Sequence, residues 1–265
     1  MSKTELWNVE SRLVFTGEKY GDWRDELQEN GCVLLNGVIP PEKAAQYAQR
    51  QLDWLHKFDL GFDENDESTW AKDHLPVSFK GGMQAVQGLL NYAPNGPDDG
   101  GLMLMKGSSK YFDEFFAQKR EAYAHEDAPP PEMEFIDLFL FNEADVKWFE
   151  EKGCKLTKVN MEPGDFVLWD SRTMHYAKLP EGNQIRHVQY ICMTPRSFAT
   201  DEALRLKTEC FNKWIGTTHW PHCNINASFD PPMRGDQVCL KNRTEPFEKP
   251  ELTDEILKLA GVKGY

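Results

Sequence analysis

The sequence predicts a mainly β chain with flanking helices, folded as a sandwich or jelly roll. Three observations carry that reading. Four short apolar strands follow one another between residues 155 and 194, separated by turns. Helical spacing appears before and after that row. Glycine, proline and aspartate cluster between the runs, as turns require. Strands in a row with helices on either side pack most simply as two sheets over one core.

The elements can be justified in order. Gly31 to Gly37 (GCVLLNG) reads as a short buried strand between glycines. Pro40-Pro41-Glu42 opens a helix, where proline's missing N–H costs nothing. Ala44, Ala48, Leu52 and Leu55 then recur at helical spacing. Gln84 to Tyr92 and Leu102 to Lys106 read as strands on either side of the turn-rich Pro94 to Gly101, which suggests antiparallel pairing through a loop. Ser109 is placed to cap a helix through Ala122, and an acidic loop with three prolines, His125 to Glu132, follows. Asn142 to Gly153 reads as a second capped helix. The row of strands comes next: Lys155 to Asn160, Asp165 to Asp170, Thr173 to Lys178 and His187 to Thr194. Thr200 to Gly216 is helical, and the tail is mostly loop with a short helix near Ile256.

At 265 residues and 40% hydrophobic content the chain can bury one good core, so a single domain spanning 1–265 is expected, its core at about 20–195 and a helix- and loop-rich extension over 196–265. A formal charge of −13 argues against nucleic acid or an anionic membrane as the main partner. No signal-like run opens the sequence, and nowhere do about 18 apolar residues run together. The six cysteines are scattered without Cys-x-x-Cys and read as reduced thiols. A cytoplasmic protein acting on a small molecule is the expectation.

The chemistry concentrates in Glu162 to Val188. A Glu-Pro-Gly-Asp turn leads into the apolar strand Phe166 to Asp170; His175 follows, and Arg186 comes eleven residues later at the start of a strand running to Met193. Alternation puts Arg186 on one face with Val188, Tyr190 and Cys192. A guanidinium on a largely apolar face is costly unless an anion meets it, and its planar fork suits a carboxylate. Taken alone, a histidine at a strand end is more often a hydrogen-bonded core or rim residue than a ligand, and an arginine at a strand start is usually solvated or in a surface pair.

Gly164-Asp165, the apolar strand, Asp170-Ser171-Arg172, His175 and then Arg186 resemble the second half of the phytanoyl-CoA dioxygenase family core. Asn30 to Glu42 and Pro94 to Lys110 resemble its opening strand and its glycine-rich turn, with Ser109 where the family carries histidine. The resemblance covers residues 20 to 195 and runs closest to fungal members. It implies a double-stranded β-helix, an Fe(II)/2-oxoglutarate-dependent dioxygenase, His175 as the distal iron ligand and Arg186 as the anchor of the 2-oxoglutarate carboxylate. No residue is assigned a separate catalytic role.

The sequence departs from the family at one place. The family's iron also needs a His-x-Asp pair on an upstream strand, and His56 and His74 lie in neither such pattern. The one literal match, His125-Glu126-Asp127, sits downstream against three prolines, which bar a central strand. The chain is short around Phe79 to Gln84, so the segment bearing the pair is expected to be lost, in the gene or in its predicted coding sequence. Weak Fe(II) binding follows. A non-catalytic homologue that holds a small carboxylate or a protein partner is the competing expectation. Cys210, His219, His222 and Cys223 match no common zinc spacing.

Overall fold

The computed structural model describes residues 17–58, 60–70, 85–122, 139–218, 220–222, 225, 227, 233–234, 237–239, 245–246 and 248–264. Two compact units emerge, residues 1–46 with 72–190, and residues 47–71 with 191–265.

The first unit holds the sheets. Helix α1 (Trp23–Asn30) leads through Gly31, at φ 70°, into β1 (Cys32–Leu35). After the start of α2 (Pro41–Leu55) come β2 (Val86–Asn91), β3 (Gly101–Lys106), α3 (Phe112–Ala122), α4 (Glu143–Glu151), β4 (Lys155–Lys158), β5 (Phe166–Asp170), β6 (His175–Lys178) and β7 (Val188–Tyr190). One antiparallel sheet has the order β1-β5-β2-β7 and the other β4-β3-β6. Their inner faces share one core: Cys32, Leu89, Val167 and Trp169 from the first sheet meet Leu102, Leu104, Val159 and Met161. The fold is therefore mainly β, two facing sheets of a jelly roll.

Each outer face is covered. Leu27 of α1 packs on Val33 and Leu168. On the other sheet, Met105, Met174 and Cys154 lie under Phe112, Phe115, Phe116 and Phe149 of α3 and α4. Asn142 caps α4, as the sequence predicts, and the structure adds a reciprocal box with Asp145.

Two local expectations are corrected. β2 and β3 do not pair as a hairpin; they lie in opposite sheets and meet across the core through Leu89, Leu102 and Leu104. The intervening turn crosses from sheet to sheet, pinned where Asn95 bridges to Met161. Ser109 does not cap α3, because a 3-10 turn, Ser108–Tyr111, precedes that helix.

The Glu-Pro-Gly-Asp turn is fastened on three sides. Asp165 Oδ1 accepts from the Gly37 N–H at 2.8 Å and Oδ2 from the Glu162 N–H at 2.9 Å, while the Gly164 N–H donates to the Asn91 carbonyl at 2.8 Å. Gly164 has φ 96°, and a Cβ there would collide with the Ile39 carbonyl oxygen. Gly164→Ala is expected to lose at least about 1–3 kcal/mol from backbone strain alone, read as a lower urea midpoint with an unchanged slope.

The second unit contains α5 (Asp201–Lys213), capped by Thr200, the two-stranded ribbon β8 (Met233–Arg234) and β9 (Gln237–Val238), and α6 (Asp254–Leu259), capped by Thr253. His56 lies just past α2 with Nε2 2.6 Å from Glu64, an exposed pair. Among the described residues no helix is long and apolar enough to cross a membrane. His74, His125, Asp127, His219 and Cys223 lie outside the described residues, so the readings placed on them are not tested by this structure.

Candidate functional site between the sheets

His175 opens β6 and pairs with Leu104, a fully buried core residue, so its ring faces the interior. There it meets Trp169 of the facing sheet edge-on, ring centroids 5.5 Å apart. Nδ1 lies 2.6 Å from the Thr173 carbonyl oxygen. A carbonyl can only accept, so Nδ1 carries the proton, and in the neutral ring Nε2 bears the lone pair that a metal would use.

The loop before His175 is held rigidly. Asp170 is fully buried, and its carboxylate takes the Arg172 N–H at 2.8 Å, Nε at 3.1 Å and Nη2 at 2.7 Å. The Thr173 hydroxyl donates to the Gly31 carbonyl at 2.9 Å, and the Met174 N–H donates to Ser108 Oγ at 2.9 Å. Ser108 and Ser109 thus belong to a buried buttress behind His175 rather than to a helix cap.

Arg186 sits two residues before β7, not inside a strand reaching Met193. Among the described residues β7 pairs only with β2, whose last residue, Asn91, is opposite Val188. The expected apolar face is also shorter than alternation implies: Val188 packs on the core, but Tyr190 is 44% exposed. The half-buried guanidinium lies against the Cα of Gly101, where a Cβ would come within 3.2 Å of both Arg186 Nε and Asn95 Oδ1. Gly101, at φ 99°, therefore leaves the space that the guanidinium fills. Among the described residues Arg186 makes no hydrogen bond and no ion pair.

A second cation stands close by. Lys158 Nζ donates to Asn95 Oδ1 at 2.7 Å and to the Val159 carbonyl at 2.8 Å. Burial, and then the charge of Arg186, push its pKa down to about 8, against a smaller upward pull from Asp99. A cavity of about 230 Å³ enters between β1 and β4, lined by Lys158, Leu104, Val159 and Val167 among others.

The sequence reading named His175 and Arg186 but missed Lys158, Asn95 and Gly101. It also missed Gln87 and Trp169, which lie directly opposite one another on β2 and β5 and share the interior face. A glutamine in the otherwise apolar run Val86 to Leu90 was the available signal. Among the described residues, no cluster of three or more His, Cys, Asp and Glu side chains could hold a metal ion.

Two facing sheets with a histidine turned between them and an arginine beside their ends make a jelly roll of the non-haem oxygenase kind. The chain belongs to the phytanoyl-CoA dioxygenase (PhyH) family, whose model matches residues 64–188. It is 40% identical to Ava biosynthesis cluster protein O of Aspergillus versicolor, over 77% of this chain and 87% of that protein. Among solved structures it is similar to EctD from S. alaskensis, crystallised with 2-oxoglutarate and 5-hydroxyectoine, at 11% identity and TM-score 0.45, covering 71% of this chain and 80% of that one. The epimerase SnoN, crystallised with Fe3+, alpha-ketoglutarate and nogalamycin RO, gives 12% identity and TM-score 0.42, covering 65% and 82%.

Proposed function

We propose that this chain binds 2-oxoglutarate through Arg186 and descends from dioxygenases that oxidise a small organic substrate, with its own Fe(II) binding impaired. The observation that carries this reading is the Arg186 guanidinium, half-buried against Gly101 and without an acceptor among the described residues. Desolvated donors of that kind call for an anion, and a carboxylate matches their planar fork.

The second reading, a non-catalytic homologue that holds a small carboxylate, is supported by the same arginine standing in a site where, among the described residues, His175 has no cluster of further metal ligands. An anaerobic Fe(II) titration followed by 2-oxoglutarate binding and oxygen consumption separates the two. The expected result is 2-oxoglutarate binding without metal and weak, non-saturating Fe(II) uptake. Near-stoichiometric Fe(II) binding would refute the impairment, and succinate release that vanishes in His175→Ala would establish full enzyme activity.

Lys158 sets a pH dependence. Its charged form favours an anion at Arg186 and is lost as pH rises through about 8. Affinity for 2-oxoglutarate should therefore weaken several-fold between pH 7 and 9. Calorimetric titrations across that range check this, and Lys158→Met should flatten the profile.

A further inference from the structure

Where β3 ends and β4 begins, a cavity of about 340 Å³ lies apart from the site already described. Lys106, Lys110, Lys152 and Lys155 line it, with Glu29 the one acid among its lining residues. Four ammonium groups around one hollow run against the trend of a chain whose formal charge is −13. Tyr111 adds an aromatic wall, its ring centroid 5.7 Å from Lys152 Nζ.

Backbone contacts fix the walls. The Gly107 N–H donates to the Asn30 carbonyl at 2.8 Å, and the Cys154 N–H to the Phe149 carbonyl at 3.0 Å. Lys106 and Lys155 are direct cross-strand partners on β3 and β4, so their side chains leave the sheet on one face. Like charges placed opposite one another destabilise a sheet. Neither side chain makes a hydrogen bond or ion pair among the described residues. Lys110 and Lys152 do have partners, Glu29 at 3.2 Å and Glu114 at 2.6 Å. Those pairs are open to solvent and hold weakly, and an ammonium with three donors can take a further acceptor. Sheet pairing alone does not call for two ammoniums face to face. An anion between them turns the repulsion into a bridge.

We propose that this cavity binds the phosphate group of a small phosphorylated molecule. Lysines are compact point charges without a fork. Several converging on one place suit a doubly charged phosphate, where the arginine fork suits a planar carboxylate. The volume falls at the small end of ligand cavities, which leaves room beside Tyr111 for the group that carries the phosphate. Gly101, against which Arg186 lies, begins β3 and Lys106 ends it, so the two anion sites stand at opposite ends of one strand.

The test uses the full chain, calorimetry, and inorganic pyrophosphate as the minimal probe. Pyrophosphate should bind, more weakly as salt rises, and equally well to Arg186→Met. Lys106→Met and Lys155→Met keep the apolar stem and should each weaken binding by about tenfold or more. Without ligand both variants should melt at the same temperature or higher, because a like-charge contact is gone. Phenyl phosphate should bind several-fold more tightly than inorganic phosphate, and equal binding would overturn the assignment to a phosphorylated molecule. If pyrophosphate does no more than sodium chloride of equal ionic strength, the lysines are a screened surface and the proposal falls. It also falls if Arg186→Met loses pyrophosphate while Lys106→Met keeps it, since the anion then sits at the other end of β3. A lower melting temperature for ligand-free Lys155→Met would sink it too, by showing that the facing lysines serve the fold.

Discussion

Arg186→Met is expected to weaken 2-oxoglutarate binding by at least about 30-fold while leaving the melting temperature nearly unchanged. Truncating one partner of a close charged pair costs about 2–5 kcal/mol, and each 1.4 kcal/mol is tenfold in affinity. The fold should not notice, because the guanidinium makes no hydrogen bond or ion pair among the described residues. Calorimetry and a thermal melt of the same sample separate the two effects. Arg186→Lys should fall between, since an ammonium keeps the charge but lacks the fork. Gly101→Ala offers an independent check from the other side of the contact. Its Cβ would stand 3.2 Å from Arg186 Nε, so affinity should drop with Arg186 still present. If Arg186→Met binds as tightly as the unaltered chain, the anion has another seat.

Arg172→Ala should cost about 3–5 kcal/mol of stability, the penalty for leaving a buried charge without its partner. Asp170 is fully buried, and Arg172 grips it through Nε and Nη2 with 16% of its own side chain exposed. The pair folds the turn between β5 and β6, so its loss should also loosen the approach to His175. Chemical denaturation measures the first effect. Asp170→Asn combined with Arg172→Met should recover much of the loss, because the unmatched charge is then gone. A single-variant loss below about 1 kcal/mol would show that backbone donors suffice to hold the carboxylate.

The strands were legible because their apolar runs are short and bounded by glycine and proline. Where the reading failed, the deciding interaction was remote. Nothing in Gln84 to Lys106 says that Leu89 will face Leu102 and Leu104 across a core instead of pairing beside them, since either arrangement hides the same residues. Ser109 looks like a capping serine until the 3-10 turn Ser108–Tyr111 takes that place, held where the Ser108 hydroxyl accepts from Met174, 66 residues away. His175 and Arg186 stood out because their spacing resembles the phytanoyl-CoA dioxygenase pattern. Lys158 sits in Lys-Leu-Thr-Lys, a run with no local mark, and becomes informative only where Asn95 and Gly101 converge on it. Gln87 was visible in principle, as a polar residue breaking an apolar alternation.

The strand order also governs when the molecule can assemble. β5 lies between β1 and β2, so Cys32 and Gln87 both wait for Trp169 before either can be zipped into its sheet. A chain emerging from the ribosome therefore carries its first two strands without their common neighbour until well past its midpoint. Contacts this distant in sequence make for slow folding and long exposure of apolar segments. Truncation just before Phe166 would strand β1 and β2 together, and refolding should show a late, single rise in protection of both.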